Sequence, residues 1–126
     1  MAVSVLIVED DRNIAELLQM YLEKEGYAVT VAADGGQGLA KFRAIKPDLV
    51  LLDVMMPVMD GFEASRAIRA LDRPDAATVP ILAMTAQASD ECAQSCHQVG
   101  MNGRLVKPLD TKKLAKSIRE AVQNKQ

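Results

Sequence analysis

Glu9-Asp10-Asp11, Asp53, Thr85 and Lys107-Pro108 are the residues whose types and settings can do chemistry, and each follows directly on a short apolar run. Carboxylates gathered in one place repel one another, and holding them in low-dielectric surroundings is costly unless a cation sits among them. A hard, oxygen-seeking ion such as Mg2+ meets that need and keeps coordination places for water and phosphoryl oxygens. A lysine facing the acids can neutralise charge on them or on a phosphoryl group, and a threonine hydroxyl can donate a hydrogen bond to a phosphoryl oxygen. An aspartate in that setting can attack phosphorus, because its own charge and the phosphoryl charges are screened together. The same residues also have plainer readings. Asp11 can cap the helix that follows while the other acids stay solvated, and Lys107 can be a surface lysine before a turn proline.

The elements that must position these residues are legible from periodicity. Val3 to Val8, Tyr27 to Val31, Leu49 to Leu52, Ile81 to Met84 and Arg104 to Val106 read as short strands, rich in Val, Ile and Leu. Between or after them, Ile14/Leu17/Leu18/Tyr21/Leu22, Leu39/Phe42, Ala64/Ala67/Ile68/Leu71, Cys92/Cys96/Val99 and Leu114/Ile118/Val122 recur at helical spacing. Five strands alternating with five helices predict an α/β fold around a buried parallel sheet. In such a sheet ligands bind outside the carboxyl ends of the strands, which is where the polar residues fall. Gly26 and Gly100 sit where helices need a left-handed stop, and Ser89 and Asp110 where helices need a side-chain cap.

Composition narrows the function classes. At 126 residues the chain supports one core and is too short for two ordinary domains. Hydrophobic residues at 49% with 25% charged give a globular balance. Aromatics are 3% with no Trp and the net charge is -2, so neither stacking nor overall attraction favours nucleic acid as a direct partner. No apolar run approaches the roughly 20 residues of a membrane helix, which predicts a cytoplasmic protein. Cys92 and Cys96 read as reduced thiols packed on a helix, and His97 beside them as a surface residue. Gly35-Gly36-Gln37-Gly38, placed before the second helix, lacks the spacing and the Lys-Ser/Thr ending of phosphate loops. Glu9-Asp10-Asp11 would repel a dinucleotide phosphate at the first strand, and Met55 stands where haloacid-dehalogenase-type phosphotransferases carry a second Asp.

Taken together, Val-Leu-Ile-Val-Glu9-Asp10-Asp11, Leu-Leu-Asp53-Val-Met-Met-Pro57 with Met-Asp60-Gly61, Ala83-Met84-Thr85-Ala86 and Val-Lys107-Pro108 resemble the two-component response-regulator receiver family. Order and separations match across essentially the whole chain. The resemblance implies a flavodoxin-like doubly wound five-stranded parallel sheet of order 2-1-3-4-5. It implies Asp53 as phosphoacceptor, Asp10 as a direct Mg2+ ligand, Glu9 as a ligand through water and Met55 as a backbone-carbonyl ligand. Lys107 would bridge to the phosphoryl group, Thr85 would hydrogen-bond it, and the Lys107-Pro108 bond would be cis. Arg104 departs from the pattern. Members usually carry Tyr or Phe there, a ring that swings inward on phosphorylation, whereas a guanidinium resists burial and is expected to stay outward.

The function implied is a single receiver domain, residues 1–126 without an output domain, that stands alone or comes from a larger protein such as a hybrid kinase. As a monomer it would take a phosphoryl group from a histidine kinase or histidine phosphotransfer protein onto Asp53 with Mg2+, and signal by altered protein binding, with no membrane contact. It would catalyse its own phosphorylation and dephosphorylation rather than turn over a small molecule. Ile14 is either core packing beneath the first helix or an exposed apolar knob that, with Pro108, docks the partner. A binding module regulated without phosphorylation and a true small-molecule phosphatase are the competing readings. The first would take no label from a phosphodonor, and the second would turn over many substrate molecules.

Overall fold

The computed structural model describes residues 3–53, 61–71, 73–85, 98–106 and 110–124. The strands are Ser4–Val8 (β1), Ala28–Ala32 (β2), Leu49–Asp53 (β3), Ile81–Thr85 (β4) and Gly103–Val106 (β5). All pair in parallel, in the order β2-β1-β3-β4-β5. This is the flavodoxin-like order implied by the resemblance. Every residue of β3 and β4 is buried, as befits central strands covered on both faces.

The described helices are Arg12–Lys24 (α1), Gly35–Ala44 (α2), Gly61–Arg69 (α3), Pro74–Thr78 (α4) and Thr111–Asn124 (α5). Alternation along the strands sends side chains to two separate cores. Leu6, Val8, Val50, Leu52, Ile81 and Ala83 pack with Phe42, Ala64 and Ile68 on the α2, α3 and α4 side. Val5, Ile7, Leu49, Leu51, Leu82 and Met84 pack with Leu18, Leu22, Leu114 and Ile118 on the α1 and α5 side.

Three expectations need revision. Leu17 is 66% exposed, not core. On α1, Ala15, Leu18 and Leu22 form the buried stripe, and Leu17 lies about 100° round the helix from Leu18. The glycine cluster does not precede α2 but forms its first turn, capped by Asp34, whose carboxylate accepts from Gln37 N–H at 2.7 Å. Gly38 serves close packing: a Cβ there would lie 2.8 Å from Val8 Cγ2, so only glycine lets α2 settle on β1 at this distance. The short α4 was not predicted. It is entered through Arg73, which pairs with Asp75 at 2.6 Å, donates to the carbonyls of Phe42, Arg43 and Ile45, and lies 4.9 Å from the Phe42 ring centre. One guanidinium thus satisfies carbonyls at the end of α2 and ties them to the approach to β4.

Gly26 and Gly100 have φ of 94° and 87°, as their predicted stop positions require. Arg69 fastens the entry to β5, donating to Gly100 O at 2.6 and 3.1 Å, Ala76 O at 3.0 Å and Asn102 Oδ1 at 3.0 Å. Burial pushes its guanidinium down from the ordinary arginine value without discharging it. The expected helix over Cys92 and Cys96, with the Ser89 cap and His97, lies outside the described residues. Among the described residues no helix is long and apolar enough to cross a membrane.

Candidate functional site

The β1, β3 and β4 carboxyl ends meet at the crevice where the chain, after running outward to β2, returns to the other side of β1. The registers Val8↔Leu52 and Asp53↔Met84 bring Glu9, Asp53 and Thr85 to one level of the sheet. Glu9, Asp53 and Thr85 are each only 2% exposed, whereas Asp10 is exposed. Oxygens of Glu9, Asp10 and Asp53 all lie within 4.8 Å of one another. Two buried carboxylates and one exposed one form an all-oxygen donor set. That is the chemistry a hard divalent cation of Mg2+ type selects.

Local structure explains why the triplet divides. Asp11 N–H donates to Glu9 Oε2 at 3.2 Å, which holds the Glu9 carboxylate in the turn after β1. The Asp11 carboxylate accepts from Asn13 N–H at 2.9 Å and Ile14 N–H at 3.3 Å, capping α1. Asp11 therefore takes the plain reading, and Glu9 and Asp10 stand with Asp53. Asp110 caps α5 in the same manner, accepting from Lys112 N–H at 2.8 Å.

Thr85 ends β4, one residue past Met84, the register partner of Asp53, and is buried like Glu9 and Asp53. Lys107, Pro108 and Met55, each assigned a role from the sequence, lie outside the described residues. Ile14 is half-buried and packs against the α1 and α5 core, one turn from the acidic rim. Arg104 is half-buried rather than fully outward. It lines two surface cavities of about 350 and 390 Å3, both shared with Ser117 and Glu120 of α5. Sequence reasoning missed the outward apolar pair on α1, Leu17 and Met20, at 66% and 68% exposure. Met20 lies three residues from Leu17, outside the stripe that Ala15, Leu18 and Leu22 bury.

Residues 5–119 match the family described as the response regulator receiver domain. The transcriptional regulatory protein CseB of Streptomyces coelicolor is 42% identical over 115 residues, 91% of this chain and 47% of that protein. The DNA-binding response regulator MtrA of Mycobacterium leprae is 36% identical over 91% of this chain and 49% of its own length. The chain thus spans about half the length of these curated relatives. Among solved structures, the chemotaxis protein CheY4 of Vibrio cholerae superposes with a TM-score of 0.91 at 36% identity, covering 96% of this chain and 99% of that one. A receiver domain of a sensor histidine kinase from Pseudomonas aeruginosa, with a magnesium ion coordinated in its active site cleft, superposes with a TM-score of 0.88 at 33% identity. That alignment covers 98% of this chain and 99% of that one.

Proposed function

Because this chain belongs to the response regulator receiver domain family, we propose that it takes a phosphoryl group from a phosphohistidine onto Asp53, with Mg2+ as the resident cofactor. The observation that carries the reading is the meeting of the Glu9, Asp10 and Asp53 carboxylates within 4.8 Å of one another at the β1/β3 crevice. Asp10, Asp53 and the Met55 carbonyl would hold the ion, with Glu9 acting through water. Bound there, Mg2+ supplies charge neutralisation for the carboxylates and for the incoming phosphoryl oxygens.

The residues of the chain divide the remaining work. An Asp53 carboxylate oxygen forms the new bond to phosphorus as the P–N bond to the donor histidine breaks, its electron pair leaving on the imidazole nitrogen. Lys107 pairs with the phosphoryl charge, and the Thr85 hydroxyl donates to a phosphoryl oxygen. Hydrolysis of the acyl phosphate by water restores Asp53, so the chain is at once catalyst and substrate. Residues 1–126 act as one receiver unit, and the partner is a histidine kinase or histidine phosphotransfer protein. Ile14 and Pro108 are the residues that would dock that partner.

The test is transfer from phosphorylated histidine kinases and histidine phosphotransfer proteins, with Mg2+ and with a chelator. Rapid Mg2+-dependent transfer from at least one donor is the expected result. Transfer that is indifferent to the chelator contradicts the metal assignment.

A further inference from the structure

The two edges of the sheet are defended differently. β5 is four residues long and carries Arg104 within it. β2 is five residues long, and the stretch 27–33, Tyr-Ala-Val-Thr-Val-Ala-Ala, contains no charge, proline or glycine. Uncharged, β-prone stretches on an open edge are templates for pairing with another chain.

The ladder decides which β2 groups face outward. Ala28 N–H donates to Val3 O at 2.9 Å and Ala32 O accepts from Glu9 N–H at 3.0 Å, so both residues face β1. Backbone groups alternate in direction along a strand, so Val29 and Val31 turn their N–H and C=O to the open edge. The outward N–H groups that flank them are engaged: Tyr27 N–H donates to Leu22 O at 3.0 Å, and Ala33 N–H donates to Gln37 Oε1 at 3.1 Å. Between them Lys41, half-buried on α2, donates from Nζ to the outward carbonyl of Val31.

We propose that Lys41 is the lock on this edge, and that without its charge β2 pairs with the β2 of a second copy of the chain. In an antiparallel pairing about a two-fold axis at Thr30, Val29 of one copy faces Val31 of the other. The Val31 carbonyls then accept half of the hydrogen bonds across the axis. With Lys41 in place each of those acceptors already takes a charged donor, and a second strand would have to displace or desolvate the ammonium. The occupant is a second copy because the outward positions are self-complementary, with no charge to oppose the pairing.

The test compares the full chain with Lys41→Met, which keeps the apolar stem, Lys41→Arg, which keeps the charge, and Lys41→Met combined with Val29→Pro. Proline at 29 removes an outward N–H and no bond to β1. Light scattering over a concentration series reports association, and amide exchange at Val29 and Val31 reports where it occurs. Wild type and Lys41→Arg should be monomers. Lys41→Met should lower the dimer Kd by about tenfold or more and slow exchange at both valines, and adding Val29→Pro should restore the monomer. A Lys41→Met chain as monomeric as wild type, with unchanged exchange, overturns the lock, as does a wild type already paired through β2. If Lys41→Met does not fold, Lys41→Gln carries the same comparison. Val29→Pro alone should fold no worse than Val29→Ala, and a greater loss overturns the assignment of the outward groups.

Discussion

The Asp11 backbone N–H holds the Glu9 carboxylate at 3.2 Å, while the Asp11 carboxylate turns away to cap α1. Neighbours in one acidic triplet thus serve different ends, and substitution should separate them. Asp10→Ala should weaken Mg2+ binding far more than Asp11→Ala. Asp11→Ala should instead cost about 1 kcal/mol of stability, the usual worth of a lost helix cap. Mg2+ titration and urea unfolding of both variants check this, and equal losses of Mg2+ affinity would mean that the triplet's register has been misassigned.

The Arg73–Asp75 pair gives a pH signature away from the acidic site. Arg73 holds the Asp75 carboxyl below its ordinary value of 3.8, chiefly through the side-chain hydrogen bonds. A carboxyl whose folded value is depressed contributes stability that is fully present above the unfolded value and lost as pH falls through the folded one. Asp75→Asn should therefore be less stable than wild type at neutral pH, and the gap should close on acidification below about 3.8. Denaturant midpoints across the acid range measure it. A gap that stays constant would show that the pair is not what the carboxyl titrates against.

The five alternating parallel strands, the caps at Asp11 and Asp110 and the acids at the β1 and β3 ends were legible in the sequence, because buried parallel strands and their polar ends leave a plain periodic mark, whereas the strand order came only from the family resemblance. Other features were not. Leu17 shares helical spacing with Leu18 and Leu22, and spacing alone does not say on which side of the stripe a leucine falls. Gly38 looks like part of a loop until α2 is seen pressed on Val8. Arg73 acts on carbonyls from about thirty residues upstream, a relation that local patterning does not carry.

Docking can now be probed with less ambiguity than Ile14 alone allows. Ile14→Ser should slow transfer from a protein donor while leaving phosphorylation by acetyl phosphate almost unchanged, but its half-buried side chain also puts stability at stake. Leu17, at 66% exposure, avoids that complication. Leu17→Ser should alter stability by less than about 0.5 kcal/mol, and should slow protein-donor transfer if the partner lies along α1. Rates from both donors, with an unfolding curve for each variant, decide it. A parallel fall with both donors would make Ile14 a core residue only.

Arg104 occupies the place where similar receivers carry a mobile aromatic, and it sits half-buried beside Ser117 and Glu120. A charged guanidinium does not exchange between solvent and an apolar slot as a ring does. Beryllofluoride with Mg2+, standing in for the phosphoryl group, should therefore perturb amides around Asp53 and Thr85 strongly and those of β5 and the 86–98 stretch weakly. Amide shifts and exchange rates with and without the analogue make the comparison. Changes across Arg104 as large as those at Thr85 would show that another residue has taken over the switch.

The central claim is that Asp53 accepts the phosphoryl group, and intact-mass measurement after incubation with acetyl phosphate or phosphoramidate tests it most directly. Wild type with Mg2+ should gain the mass of one phosphoryl group, and Asp53→Asn should gain none. Labelling of Asp53→Asn at the wild-type rate, or a wild type that takes no label with Mg2+ present, would contradict the account.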